Sequence, residues 1–475
     1  MTIAPTVPPS TSPPGNKQFG GRGNLWRRLL SGGIWVIGAR FCGITSMVLT
    51  NVVLARKLAP EAFGDFVVVS SITNAGSLVA IFGMNSGIVR FVAEQLAHEN
   101  LRGARHVLNL CFRLAAYATS VTSLVVLAGM ALLGSQLFSL PHSNEIALLT
   151  ACALAIQAFS NLNSAALRGL GEMRFSSILG GQGGVVGPLA NTLFLILVSS
   201  VALTMPLTLV GALTAYVAAF AIALAVGSRW VTRTASNVLG GVEPGPIIDQ
   251  NVSLNARSIL FACFPMLMVQ VLSTVTKQGG LWVAGSTCSP QDLALYAAAS
   301  RAINLVAMPL SLVNLSVMAF IPQLRAQSRL PELEKILRVS AGWAAIPSFM
   351  ALIAFVVMPA QFLGVFLGEN YRHAAGLLSI LSFGQFVFVW SGLAELTLVL
   401  SGRARAAAIV NAVAGFAILA GGPIAAHFYG PHGLAVVAAT VIAGQCLSQW
   451  LMTRRLVGIW THAAFLPWRL SRETV

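Results

Sequence analysis

Four ionisable side chains, Arg40, Lys277, Arg301 and Glu395, lie inside long apolar runs of the sequence. The first sits within "GGIWVIGARFCGITSMVLTNVVLA", residues 32–55. A guanidinium stays charged at any ordinary pH and presents a planar fork of donors that matches phosphate oxygens. At the centre of a bilayer such a charge costs about 2.5–3.5 kcal/mol on insertion scales, so it normally faces a bundle interior or a watery cavity. Arg40 follows Arg28 by about 12 residues, or roughly 18 Å of helix rise, and Arg301 follows Asp292 by about 9 residues, or roughly 14 Å. In a hydrocarbon core about 30 Å thick, both fall near the midplane. Two such residues could hold an anion between them, or each could bond to a helix carbonyl or a carboxylate.

Glu395, in "WSGLAELTLVL", is the acid deepest in an apolar run and lies at a depth close to that of Arg301. It could form a structural pair with Arg301, or serve as a proton or sodium site. Lys277, in the polar stretch "STVTKQGG", falls near the far end of its run, where snorkelling to headgroups or contact with a departing phosphate or sugar would follow. Arg113 is about 6 residues into its run and is expected to snorkel. Amides at Asn74, Asn85, Gln157, Asn161, Gln270, Asn304, Asn314 and Gln385 lie at membrane depth. Most are expected to glue helices together. Asn74, Asn85, Gln270 and Asn304 are the candidates for sugar hydroxyls.

The elements that must position these residues are transmembrane helices. Of the 475 residues, 56% are hydrophobic and 9% charged, where a soluble domain has about 25% charged. Twelve apolar runs of spanning length recur: 30–54, 63–88, 108–134, 146–167, 175–200, 206–228, 258–284, 292–319, 337–358, 374–401, 406–426 and 433–452. The expected class is all-α and polytopic. With the N-terminus inside, one face carries 22 of the 29 basic residues and the other only Arg56, Lys57 and Arg372. This asymmetry predicts a cytoplasmic location for both termini. It also absorbs the net charge of +15, so nucleic acid is not an expected partner.

The second half echoes the first at an offset near 230 residues. "KLAPEAFGDF" (57–66) aligns with "TCSPQDLALY" (287–296), and "LRGLGEMR" (167–174) with "LVLSGRAR" (398–405). Six spans per half is an even number, so the repeats are parallel, about an axis along the membrane normal, with room for a central cavity. The expected organisation is a disordered cytoplasmic tail (1–24), a six-helix lobe (25–228), a cytoplasmic linker (229–257), a second six-helix lobe (258–455) and a C-terminal tail (456–475). The segment "GGQGGVVG" (180–187) has small-residue spacing that permits close helix approach or flexing. The six cysteines show no paired spacing and no CxxC, so neither a disulfide framework nor a metal site is expected. The sequence has no phosphate-binding loop and no hydrolase motif, and its outward loops are short, so no cofactor and no catalytic residue is expected.

"VLARKLAPEAFGDF" (53–66), "GMNSGIVRFVAE" (83–94), "ALRGLGEMRFSSI" (166–178) and "FLGENYRHAAGLLSIL" (366–381) occur in that order. Together they resemble bacterial polysaccharide-biosynthesis transporters, the lipid-linked oligosaccharide flippases of the multidrug/oligosaccharidyl-lipid/polysaccharide exporter superfamily. The resemblance covers roughly residues 25–455. It implies a V-shaped pair of bundles in the bacterial inner membrane. It further implies alternating-access transfer of an undecaprenyl-pyrophosphate-linked oligosaccharide from the cytoplasmic to the periplasmic leaflet, for exopolysaccharide, capsule or O-antigen. Membrane lipids, a polysaccharide polymerase and a chain-length regulator are the implied partners. On this view Arg40, Arg301 and Lys277 would meet the pyrophosphate. The related lipid II flippases are similar in carrying arginines on their first and eighth helices. They also have one on the second, which this sequence lacks. Three other readings are a drug or toxin antiporter, a lipid II flippase and a membrane glycan polymerase or ligase. An antiporter for cations would want acids where Arg40 stands, and a polymerase or ligase would want a large outward loop. Titrating transport against pH in a Glu395→Gln variant separates the two roles of that acid: a coupling site loses its pH dependence, a structural pair does not.

Overall fold

Inside hydrocarbon there is no water to satisfy backbone amides and carbonyls, so a chain of this composition must satisfy them within helices. A computed structural model describes residues 22–97, 100–137, 143–180, 187–240, 256–317, 321, 324–325 and 329–464; side chains are described from residue 38 onward, excepting 97, 133, 135–137, 143 and 314–316. The described residues form helices and no strand. The first half comprises α1 (Arg22–Lys57), α2 (Pro60–Ala80), α3 (Met84–Ala97), α4 (Leu101–Leu137), α5 (Ser143–Gly169), α6 (Met173–Leu179), α7 (Pro188–Thr204) and α8 (Leu209–Leu239). The second comprises α9 (Ala256–Thr287), α10 (Pro290–Val317), α11 (Leu330–Val357), α12 (Pro359–Phe366), α13 (Ala375–Ser391), α14 (Ala394–Leu398) and α15 (Ala404–Val457). Proline opens α2, α7, α11 and α12, where its missing N–H would have had no partner.

Ten stretches are long and apolar enough to cross a membrane. One of them, Ala394–Val457, counts twice. Its helix breaks at Gly430 (φ 60°, ψ −151°) and doubles back, so that Gly422 faces Leu434 and Asn411 meets Gln445 and Gln449. The shorter apolar helix α7, with α6 before it, supplies the remaining crossing. The described residues therefore accommodate twelve crossings, six in each half.

Three expected spans are not continuous helices. The run 63–88 bends between α2 and α3 at Phe82 (φ 47°) and Gly83 (φ 71°). A Cβ on Gly83 would stand 2.8 Å from the Cys263 carbonyl of α9, so the bend is also the point of closest approach. The run 374–401 stops at Ser391 and restarts as α14 after Gly392 (φ 68°). It then passes through a π-helical stretch, Val399–Arg403, with Gly402 at φ 77°. The run 175–200 is split between α6 and α7, and most of the small-residue segment 180–187 lies outside the described residues, as do residues 1–21, 241–255 and 465–475 of the expected tails and linker.

Within the first half α5 packs on α4 and α8, and α1 on α7; within the second, α15 packs on α9 and α13, and α11 on α10. The halves meet through α2 and α3 against α9 and α10, with α1 touching α10. Toward the face bearing the termini, Phe82 and Phe264 pack at 6.3 Å. Toward the opposite face, Phe63 and Tyr371 pack edge-on at 5.6 Å, Gly64 abuts Ala294, and Arg56 donates to the Val365 carbonyl.

The break at Gly392 positions Glu395. The segment after α15 runs back beneath α11 and α13, where Thr461 Oγ1 donates to the Ser391 carbonyl at 3.0 Å and the Ala463 amide to the Trp390 carbonyl at 3.0 Å. A Cβ on Gly392 would lie 2.2 Å from the Thr461 carbonyl oxygen. Gly392→Ala combines that clash with a φ foreign to L-residues, a strain of about 1–3 kcal/mol. The expected outcome is a lower thermal midpoint of the detergent-solubilised protein, while Gly444→Ala, with open space at its Cβ, leaves the midpoint unchanged.

Candidate functional site: arginines between two helical lobes

The candidate site begins with α1. Arg40 is 7% exposed and has no hydrogen bond or ion pair among the described residues. α1 is held by Gly43, whose Cα hydrogens face Pro188 at the start of α7, and by a Ser46–Thr192 hydroxyl bond of 3.0 Å. Those small residues bring α1 and α7 together.

Arg301, on α10, is engaged with the other half. Its Nη2 donates to Ser70 Oγ of α2 at 2.8 Å, its Nε is buried without a partner, and Tyr216 of α8 stands within Coulombic reach. One residue along, Ser71 Oγ accepts from Trp282 Nε1 of α9 at 2.9 Å. Consecutive serines of the first half thus receive two donors from the second. Both hydroxyls also donate back to their own helix, at Val67 and Val68. Beside Arg301 lies a small cleft, lined by Met47 and Asn51 of α1, by Arg301 and Asn304, and by Phe366 and Leu367. Arg40 precedes those α1 residues by 7 and 11 positions, or roughly 10–17 Å of rise. The two expected phosphate ligands therefore lie at different depths along one helix, with Arg301 toward the face opposite the termini.

Glu395 does not pair with Arg301. Its Oε1 accepts from Asn411 Nδ2 at 2.9 Å, and Asn411 Oδ1 accepts from Gln445 Nε2 and Gln449 Nε2, each at 2.7 Å. The pairing expected from similar depth fails because depth says nothing about direction around a helix. Arg301 turns to the first half, whereas Glu395 turns into the hairpin of α15. Thr276 of α9 donates to the Asn411 carbonyl at 3.2 Å, closing the network on a third segment. This half-buried carboxylate has one amide partner, Asn411, and no cation bonded to it among the described residues.

Lys277 stands on the same helix, α9, as Thr276. It lies ten residues before the end of α9, so roughly 15 Å from that end. Its side chain is exposed, and both it and Glu395 are within Coulombic reach of the buried Cys446 thiol. Of the candidate sugar contacts, Asn304 lines the cleft beside Arg301. Asn85 is used locally, accepting from the Ser86 amide at 2.8 Å. Asn74 Oδ1 and Gln270 Oε1 are buried acceptors without a partner, as is Gln157 Oε1. A second acid, Asp65, is buried at 8% exposure near the start of α2. The described residues contain no cluster of His, Cys, Asp and Glu able to hold a metal ion.

Ser70, Ser71 and Trp282 were missed by sequence reasoning, because a serine pair in an apolar helix carries no distinguishing pattern. The Asn411–Gln445–Gln449 network had a signal: two amides four residues apart, on a run that follows another run carrying an amide.

Comparison with known proteins identifies this architecture. The chain matches the polysaccharide biosynthesis protein family over residues 29–326, more than half of its length. It belongs to that family. Solved structures of the MOP superfamily share its fold. An inward-facing multidrug resistance transporter of the MATE family superposes with a TM-score of 0.66 at 15% identity, covering 93% of this chain and 100% of that one. A MOP superfamily transporter from Pyrococcus furiosus, reported with a reversed polarity of its binding pocket, gives 0.64 at 15% identity, with 90% and 95% covered. The lipid II flippase MurJ, in an inward closed conformation, gives 0.64 at 12% identity, with 90% and 87% covered. No curated protein matches the sequence at a significant level. This family member is a multi-pass membrane protein with a transporter fold.

The serine latch makes a prediction of its own. A hydrogen bond to a charged donor contributes about 1.5–3 kcal/mol. Removing both bonds with Ser70→Ala and Trp282→Phe is expected to loosen the contact between halves. A single-cysteine protein carrying Asn51→Cys should then react several-fold faster with a membrane-impermeant maleimide. An unchanged rate means that the two bonds do not hold the halves together.

Proposed function

We propose that this protein is a flippase that carries a polyprenyl-pyrophosphate-linked oligosaccharide from the cytoplasmic to the periplasmic leaflet of the bacterial inner membrane, by alternating access, for surface polysaccharide synthesis. Both termini face the cytoplasm, as the distribution of basic residues favours. The observation that carries the reading is Arg40: a permanent cation, 7% exposed on a membrane helix, with neither carboxylate nor carbonyl partner among the described residues. Membership of the polysaccharide biosynthesis family and the MOP transporter fold support it.

The proposed path follows the two depths. The pyrophosphate first meets Arg40 in the cytoplasmic half and then Arg301 beside the cleft, with Lys277 exposed at intermediate depth and Asn304 available to a hydroxyl. In the conformation described, Arg301 is committed to Ser70, so the periplasmic side is latched. A membrane potential, negative inside, drives an anion outward by about 2.3 kcal/mol per charge per 100 mV. A polysaccharide polymerase and a chain-length regulator are the proposed partners downstream.

The Glu395 network favours an additional element, a proton or sodium coupling site, because a carboxylate bonded only by the Asn411 amide among the described residues is left with charge to neutralise. The same network argues against transport of cationic drugs through the region of Arg40, which has no acid bonded to it.

Replacing Arg40 by Ala is expected to lower surface polymer output by at least tenfold with unchanged abundance in the membrane fraction. Polymer yield per immunoblotted protein is the measurement. Normal yield from the variant would refute the role.

A further inference from the structure

Arg168 was counted with the loops because it lies in the last turn of α5. The fold places it elsewhere. After α5 the chain turns at Gly171 (φ 89°) and returns as α6, so that the two helices lie side by side. They are locked there by Ser164 and Ser176, each donating its hydroxyl to the other's carbonyl, at 3.0 and 2.8 Å. α6 in turn packs against α1. The last turn of α5 is thereby carried to the region of α1 that holds Arg40, and the two guanidiniums stand within Coulombic reach of each other.

Neither is neutralised by a described residue. Among the described residues Arg40 is buried without a partner, and Arg168 Nε is buried without one. Glu172 follows Arg168 by four residues, yet no ion pair joins them. Glu172 is thus unlike Glu332, Glu334 and Glu369 of the second half, which pair with Arg329, Arg338 and Arg372. The C-terminal end of a helix favours a cation, which explains why α5 tolerates Arg168 in its last turn. It does not explain an unpartnered Nε beside a second buried guanidinium. Like charges at reduced dielectric repel, and a group with two negative charges and several acceptor oxygens would reverse the sign of the interaction while filling both forks.

Resting on the flippase reading, we infer that Arg168 and Arg40 together form a docking site for a phosphate or pyrophosphate group in the half of the first lobe nearest the termini. Arg168 is the part that the reading did not contain. The site captures the anion before it reaches Arg301, and the Gly171 turn with its serine pair sets the spacing of the two forks.

The test uses the full-length protein in nanodiscs of zwitterionic lipid, with inorganic pyrophosphate as the probe and thermal stabilisation as the readout. The wild type should be stabilised in a saturable manner. Arg168→Gln should weaken the apparent affinity about tenfold, as should Arg40→Gln. Wild-type affinity in Arg168→Gln together with loss in Arg40→Gln overturns the inference and leaves the flippase reading standing; wild-type affinity in both overturns the two together. Should Arg168→Gln fail to accumulate, Arg168→Lys decides, since it keeps the charge and loses the fork: several-fold weakening upholds the site and unchanged binding overturns it. Adding polyprenyl pyrophosphate or phosphatidylglycerol to the nanodisc identifies the source. Competition by the first assigns the site to the transported lipid. Competition by the second alone upholds a phosphate site and assigns it to membrane headgroups.

Discussion

A charge that cannot be hydrated must be answered by something else, and in this protein the first lobe leaves it unanswered. Arg40 is buried there without a partner among the described residues. A cation at membrane depth costs several kcal/mol, which packing of apolar helices does not return. The described second lobe is built on the opposite principle. There Glu395 is bonded by the Asn411 amide, and Glu332, Glu334 and Glu369 are paired with arginines. The two halves share a topology and differ in what they do with charge.

That difference gives the contact between them its character. The apolar contacts of α2 with α10, through Gly64 and Ala294, are close because a glycine is present. Apolar contacts in a bilayer have lipid as an equal competitor, so polar bonds and close backbone approach must supply the discrimination. Arg301 to Ser70 and Trp282 to Ser71 supply it here. Both are bonds to hydroxyls that already satisfy themselves within α2, and they can be released without stranding the serine. A contact made of such bonds suits a structure whose halves separate and rejoin.

The helix breaks serve placement in the same way. Gly83 allows α3 to turn against the Cys263 carbonyl, Gly392 allows the chain to pass the Thr461 carbonyl, and Gly430 folds a 64-residue stretch into a hairpin. The second break sets the start of α14, and the hairpin sets Asn411 against Gln445 and Gln449. Only with both in place does Glu395 find the Asn411 amide.

The sequence by itself determined the class, the number of crossings, the repeat and the unusual status of Arg40, because hydropathy and a lone cation in an apolar run depend on composition along the chain. It also carried the family through four short motifs. Direction around a helix was another matter. Residue counting gave Arg301 and Glu395 similar depths, and only packing decided that one turns to Ser70 and the other to Asn411. Arg168 looked like a loop residue until the Gly171 turn laid α6 between α5 and α1. One dimension, depth, can be counted in residues at a fixed rise. The other two depend on which helices pack together and where glycine lets the chain bend, and those are settled by contacts between residues far apart in the chain.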